Sequence, residues 1–221
     1  MRSKGDVILH KNIKREKEKR IQDILASAEE LFVSEGCRKF TMYGLSDKIR
    51  LSRGIIYYYF KCEENIIAKL IANKLAIVDV ELSKVIIHDN GYANIKAILD
   101  RFLQFIKEEP IFLSLISYFA AYKMSKEQLN STPYYSEYEK NKETVFNKCL
   151  TAIRQGMKDG SIRSKSDPYV ITYAIWAGIG SYWEFMLKDN PLKFVKEIHL
   201  EQADKFISAY FALINNSLKC S

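Results

Sequence analysis

Apolar residues along this chain recur at intervals of three and four, and no sustained alternation of apolar and polar residues marks a strand. A chain patterned in this way hides its apolar stripes by laying helix on helix, so the expected fold class is all-α. Ile21, Ile24, Leu25, Ala28, Leu31 and Phe32 form the first clear helical face, and Gly36 offers it a left-handed stop. Thr41 is placed to cap a short second helix carrying Met42, Leu45 and Ile49, and Ser52 to cap a third carrying Ile56 and Phe60. Three short helices joined this tightly, with Phe40 between them, bury their faces only by converging in one small bundle. That geometry is a helix-turn-helix.

Beyond Lys61 the stripe lengthens. Ile66, Ile67, Leu70, Ile71, Leu75, Val78 and Leu82 predict a long fourth helix from Glu63 towards His88. Further helices are predicted from Ile95 to Lys107, Ile111 to Lys123, Tyr135 to Lys158, Pro168 to Lys188 and Leu200 to Leu218, about nine in total. Asp89-Asn90-Gly91, Asp159-Gly160 and Asp189-Asn190-Pro191 supply the turn signals between them. The chain of 221 residues thus divides into a basic, frayed arm over residues 1–20 that can extend the first helix, a three-helix head over 21–66 and a larger helical body over 67–221.

Charge follows the same division. Residues 1–61 hold 14 Lys or Arg against 8 Asp or Glu, while the other 160 residues hold 20 against 19, so nearly all of the net +7 lies at the N-terminal end. A local cationic excess on a neutral body points to phosphate, whose condensed counterions are released on contact. Cys37, Cys62, Cys149 and Cys220 are far apart, and His10, His88 and His199 are scattered, so neither a metal site nor a cofactor is expected. No nucleophile with its base and no phosphate loop can be assembled by spacing, so the chain is not expected to be an enzyme. The charged beginning lacks the apolar stretch of a secretory leader, and a cytoplasmic location is expected. Tyr169 to Leu187 is apolar enough to suggest a membrane span. It has only 15 residues before Glu184, however, and reads better as a helix buried in a core or interface.

The most informative stretch is FTMYGLSDKIRLSRGIIYYYFKCEE, Phe40 to Glu64. With Ser52 as cap, the third helix presents its first turn outward. Gly54 permits close backbone approach there, and Arg53 supplies a rigid fork suited to guanine O6 and N7 in a major groove. Ile56 and Phe60 face inward, which directs Tyr58 and Tyr59 outward and leaves Tyr57 between the faces. The run Ser52-Arg53-Gly54-Ile55-Ile56-Tyr57-Tyr58-Tyr59-Phe60-Lys61 resembles the recognition-helix signature of the TetR family of bacterial regulators. Gly160-Ser161-Ile162-Arg163 with Asp167-Pro168 resembles a weaker feature of that family's body.

The resemblance implies a DNA-binding set of Thr41, Tyr43, Arg53, Gly54, Ile55, Tyr57, Tyr58, Tyr59 and Lys61. In it Arg53 touches a base, Tyr57 and Tyr59 touch phosphate or sugar, Tyr58 touches thymine methyl or backbone, and Thr41, Tyr43 and Lys61 lie by phosphates. Arg50 stands where relatives place Gly in the turn, and Glu63 where they place Lys, which removes one expected cation from the DNA side. The resemblance also implies a body that binds an effector and dimerises through its last two helices. Candidates for a largely apolar effector pocket are Phe102, Phe105, Tyr118, Phe119, Tyr122, Trp176, Trp183 and Glu184. Candidates for the dimer interface are Ile171, Ile175, Gly178, Ile179, Tyr182, Phe206, Tyr210, Leu213 and Ile214.

The expected partners are double-stranded operator DNA, a small-molecule effector and a second copy of the chain, without a membrane. The expected function is that of a DNA-binding transcription regulator, usually a repressor that its effector releases. The alternative is a ligand-independent or architectural DNA-binding protein.

Overall fold

A computed structural model describes residues 4–35, 40–85, 89–109, 111–121, 134–186 and 200–218, and these form nine helices and no strand. The head comprises α1 (Lys4–Glu35), α2 (Met42–Ile49) and α3 (Arg53–Tyr59), and α4 (Glu63–Ser83) leads from it into the body. The body adds α5 (Gly91–Glu108), α6 (Ile111–Ala121), α7 (Tyr135–Asp159), α8 (Pro168–Met186) and α9 (Leu200–Leu218). In the body α7 lies along both α4 and α5, α6 packs on α4 and α8, and α9 packs on α8 and α5.

The predicted stripes of the head converge. Ile24, Leu25, Ala28, Leu31 and Phe32 of α1 are buried with Phe40, Met42, Leu45, Ile56 and Phe60, and the rings of Phe32 and Phe40 stack with centroids 4.3 Å apart. Each such large side chain contributes on the order of 2 kcal/mol by leaving water. Gly36, the expected stop of α1, lies outside the described residues.

Several expected boundaries move. The stretch over 1–20 is helical from Lys4 onward rather than frayed, and α1 runs unbroken through Arg20. No Pro interrupts it, and its Lys, Arg and Glu residues are good helix formers with Glu16 and Arg20 at the favourable four-residue spacing. The fourth helix stops at Ser83, short of His88, which lies outside the described residues. Its apolar stripe ends at Leu82, and the amides of Lys84 and Val85 fold back onto the carbonyls of Glu81 and Leu82. The Asp89-Asn90-Gly91 signal is also not a free turn. Asn90 caps α5, its side chain accepting from the Ala93 amide at 2.8 Å, and Gly91 is the first helical residue, four before the predicted start.

A joint between α5 and α7 accounts for that early start. A Cβ on Gly91 would lie 1.9 Å from the Gly156 nitrogen, so only glycine lets the two backbones cross. Asp159 accepts from the Gly91 amide at 2.8 Å, and Ser161 Oγ accepts from the Tyr92 amide at 3.0 Å. Ile162 is buried against Gly156. The Gly160-Ser161-Ile162 stretch therefore locks the end of α7 to the beginning of α5.

Among the described residues no helix is long and apolar enough to cross a membrane, and no cluster of His, Cys, Asp and Glu could hold a metal ion. Cys62 and Cys149 are free thiols. Burial and the neighbouring Glu64 push Cys62 up to about 11, and burial pushes Cys149 up to about 12, so neither is a reactive thiolate near neutral pH.

Candidate nucleic-acid interface

The segment from α2 to α3 is fixed by local hydrogen bonds before any long-range packing acts. Thr41 is extended and its hydroxyl accepts from the Gly44 amide at 3.0 Å, which starts α2. Arg50 then takes the left-handed conformation (φ 55°, ψ 37°), and the chain reverses within one residue. The Ser46 hydroxyl donates to the Leu51 carbonyl at 2.7 Å, and the Leu51 amide donates to the Ser46 carbonyl at 3.2 Å. Ser52 starts α3 by accepting from the Ile55 amide at 3.4 Å. Both caps and the turn fall where the sequence places them.

Packing then sets the roll of α3. Ile56 and Phe60 are fully buried, α3 packs on α2, and the Phe60 ring lies 5.2 Å from that of Tyr134. Arg53, Gly54, Ile55, Tyr57 and Tyr58 point to solvent, as do Thr41, Tyr43 and Lys61, with Tyr43 70% and Tyr58 68% exposed. A Cβ on Gly54 would meet nothing closer than Ser52 Oγ at 3.9 Å, so a partner can approach the backbone there.

Two tyrosines exchange their expected places. Tyr57 is exposed, whereas Tyr59 is half-buried against the core, with its ring edge-to-face with Tyr58 at 5.1 Å. Each lies roughly 80° from the inward direction at 100° per residue. Helical spacing alone cannot rank them. Tyr59 lies on the side of α3 that faces α1 across a cleft.

Glu63 is also not a missing DNA-facing cation. Its Oε1 accepts from the Met42 amide at 3.0 Å, so the first residue of α4 ties down the first residue of α2. That acceptor satisfies an amide that a helix start leaves free. The head is joined to the body by Lys74 of α4, which reaches Glu29 of α1 and Glu109 after α5, each at 2.7 Å. Burial draws the Lys74 ammonium downward, but Glu109 and Glu29 outweigh it and hold its pKa above the usual lysine value.

Residues 24–68 match the family described as bacterial regulatory proteins, tetR family. The head of this chain is similar to that family. Solved structures similar to the whole chain carry the same fold. One is the ketosteroid transcriptional regulator KstR2 of Mycobacterium tuberculosis, at 16% identity and TM-score 0.65, covering 91% of this chain and 96% of that one. A TetR transcription regulator of Haloarcula marismortui, at 15% identity and TM-score 0.65, covers 92% and 100%. The regulator FadR of Bacillus subtilis, solved with stearoyl-CoA, is similar at 12% identity and TM-score 0.65, covering 89% and 98%. No curated protein matches the chain. The chain thus shares the fold of these solved regulators.

The body arranges the expected pocket and interface residues differently from what their spacing suggests. Phe102 and Phe105 are both 2% exposed and pack with Phe112, and Phe102 also packs with Trp176. They fill the core instead of lining a space. Tyr118 meets Phe32 of α1 edge-on at 6.0 Å, which makes it a contact between body and head. Phe119 packs on Tyr138 at 5.2 Å. Trp176 does line a cavity, of about 500 Å³, between α4, α6, α7 and α8. Its companions are Ile116, Tyr138, Phe146, Tyr169 and Tyr173, with Glu139, Lys142 and Glu143 among the polar lining. The recurrence of Tyr169, Tyr173 and Trp176 at helical spacing is the signal that could have found this wall. Tyr122 and the side chains of Trp183 and Glu184 lie outside the described residues.

The expected dimer stripe on α8 also faces inward. Ile175 and Ile179 are 1% and 3% exposed, Ile171 is half-buried, and Gly178 is approached by the Tyr210 ring of the same chain. A Cβ on Gly178 would lie 2.1 Å from the Tyr210 hydroxyl, which donates to the carbonyls of Ala174 and Ile175. Among the described residues the large apolar ones left exposed are Tyr169, Val170 and Tyr173 on α8 and Leu213 on α9, with Ile214 half-buried beside it. The strongest apolar stripe of α8 is consumed by the core of its own chain. The side chains of Tyr182 and Phe206 lie outside the described residues.

Proposed function

We propose that this protein is a dimeric, sequence-specific DNA-binding regulator whose recognition helix is α3. The observation that carries this reading is the outward set Arg53, Gly54, Ile55, Tyr57 and Tyr58 on a helix capped at Ser52 and anchored by Ile56 and Phe60. A rigid helix with one cationic fork and several phenols on its free face suits a major groove. Arg53 reads a base edge, and Thr41, Tyr43 and Lys61 hold flanking phosphates. Tyr59, half-buried, positions Tyr58 and reaches the backbone only with its hydroxyl.

The finer reading is a repressor, acting on its operator in the cytoplasm, that a small molecule releases. Support comes from FadR, a protein of this fold that was solved with stearoyl-CoA, a ligand with a long apolar tail. In this chain the aromatic cavity between α4, α6, α7 and α8 is the effector seat we favour. The Trp176 indole N–H is buried towards the Cys149 thiol, so Trp176 lines the cavity with its ring rather than with a donor. The exposed Val170, Tyr173 and Leu213 are the surface that a second copy would cover.

The test is a mobility-shift titration with duplexes flanking the protein's own gene. Arg53→Ala is expected to weaken operator binding by about 1 to 3 kcal/mol while leaving random-duplex binding nearly unchanged. Equal affinity of the variant and the parent for the operator would remove Arg53 from base readout. A ligand-independent architectural protein would differ in that no small molecule filling the cavity changes operator affinity.

A further inference from the structure

Among its described side chains, α1 contributes none to the core before Ile21. Residues 11–20 are exposed throughout, and the first described α1 side chain to be buried is Ile21. At 1.5 Å per residue the exposed stretch over residues 11–20 is an overhang about 15 Å long. Six of residues 11–20 are Lys or Arg against two Glu, so this overhang holds most of the cationic excess of the N-terminal region.

The overhang also borders the recognition helix. A cleft of about 570 Å³ lies between them, walled by Lys17, Lys19 and Arg20 of α1 and by Tyr58 and Tyr59 of α3. Glu16 and Asp23 line it too, leaving one net positive charge. A second cleft of about 550 Å³ shares Arg20, Tyr58 and Tyr59 and extends to Ser52 and Gly54. Among the described residues Arg20 is the only charged one lining this second cleft, and its other polar side chains are the hydroxyls of Ser52, Tyr58 and Tyr59.

We propose that Arg20, backed by Lys17, is a second DNA contact that seats a sugar-phosphate strand beside the groove read by α3. The inference rests on the DNA-binding reading above and adds to it a residue outside the recognition helix. A planar guanidinium matches phosphate in two-point geometry, and neighbouring hydroxyls can donate to the remaining phosphate oxygens. The cleft adjoins the outward face of α3, so a duplex lying against Arg53 and Tyr58 brings its backbone to Arg20. The contact carries no sequence information. It fixes register and adds a salt-dependent share of the affinity.

Two double variants with equal charge loss test the proposal. Lys17→Gln with Arg20→Gln removes the cations on the cleft side, and Lys11→Gln with Arg15→Gln removes cations from the opposite face of the same helix. All four residues are exposed, so both variants should keep the parent's circular dichroism and thermal unfolding. The cleft pair should lower the slope of log affinity against log salt by about 2, at about 0.9 per lost phosphate contact, and should weaken operator and random duplex alike. The opposite-face pair should change the slope by less than about a third of that. Equal changes from both pairs would mean diffuse attraction without a seat, and no change from the cleft pair would remove Arg20. Loss of binding to anionic phosphatidylserine vesicles with an unchanged operator slope would assign the overhang to a lipid surface and overturn the proposal. Arg53→Ala separates the two readings. If it abolishes operator preference while the cleft pair changes nothing, the recognition helix stands and only the second contact fails. If the parent binds no duplex, both fail.

Discussion

Arg50 occupies a conformation in which its Cβ crowds its own backbone, and nothing but the reversal between α2 and α3 requires it. Arg50→Gly is expected to raise the stability of the chain by about 1 kcal/mol, read as a higher urea midpoint with an unchanged slope. A lower midpoint would show that the exposed arginine side chain makes a stabilising contact of its own. At this scale much of the site was legible. Thr41 and Ser52 precede apolar spacings that only a helix satisfies, and Ile56 and Phe60 fix which way α3 must roll. The ranking of Tyr57 and Tyr59 was not legible, because each is equally far from the buried face and packing against the rest of the core decides between them. The role of Glu63 was not legible either, since its partner, the Met42 amide, lies 21 residues away in the chain.

At the scale of elements, the α5–α7 crossing shows what pattern reading misses. Gly91 reads as part of a turn, yet it lies inside a helix start because the Gly156 backbone passes against it. Gly91→Ala is expected to destabilise the body by about 3 kcal/mol or more, since backbone atoms rather than a flexible side chain oppose the added methyl. Chemical denaturation would measure this, and a loss below about 1 kcal/mol would mean that the crossing is not rigid. Asp159 reinforces the joint from the α7 side. Hydrogen bonds from Ser161 and then Gly91 hold its carboxyl below the usual aspartate value, so its contribution is present at neutral pH and fades as pH falls through that lowered value. The dimer stripe was misread for a related reason. On a helix that is apolar nearly all round, no polar residue marks the side that meets its own chain, so Ile175 and Ile179 could not be told from Val170 and Tyr173 by spacing.

At the scale of the whole molecule, head and body share one continuous core, joined further by specific contacts. Lys74 bridges Glu29 and Glu109, Phe32 meets Tyr118, and α4 runs through both parts. The aromatic cavity is lined by Leu75, the residue next to Lys74, so a molecule filling it would press on the helix that carries the head. Such contact is the differential interaction that an effector needs if it is to change operator affinity. The all-α class and the division into head and body were legible from periodicity and charge. The cavity was not, because whether an aromatic fills or lines a space depends on neighbours far away in the chain, as Phe102 and Tyr169 illustrate.

Selection from a random duplex pool at moderate salt tests the central claim most directly, because the pool itself contains the operator whatever its sequence. The account predicts enrichment of one inverted repeat whose half-sites are centred about 34 to 36 Å apart or a multiple of that distance, and loss of this enrichment with Arg53→Ala. A pool left unenriched by the parent protein would contradict it.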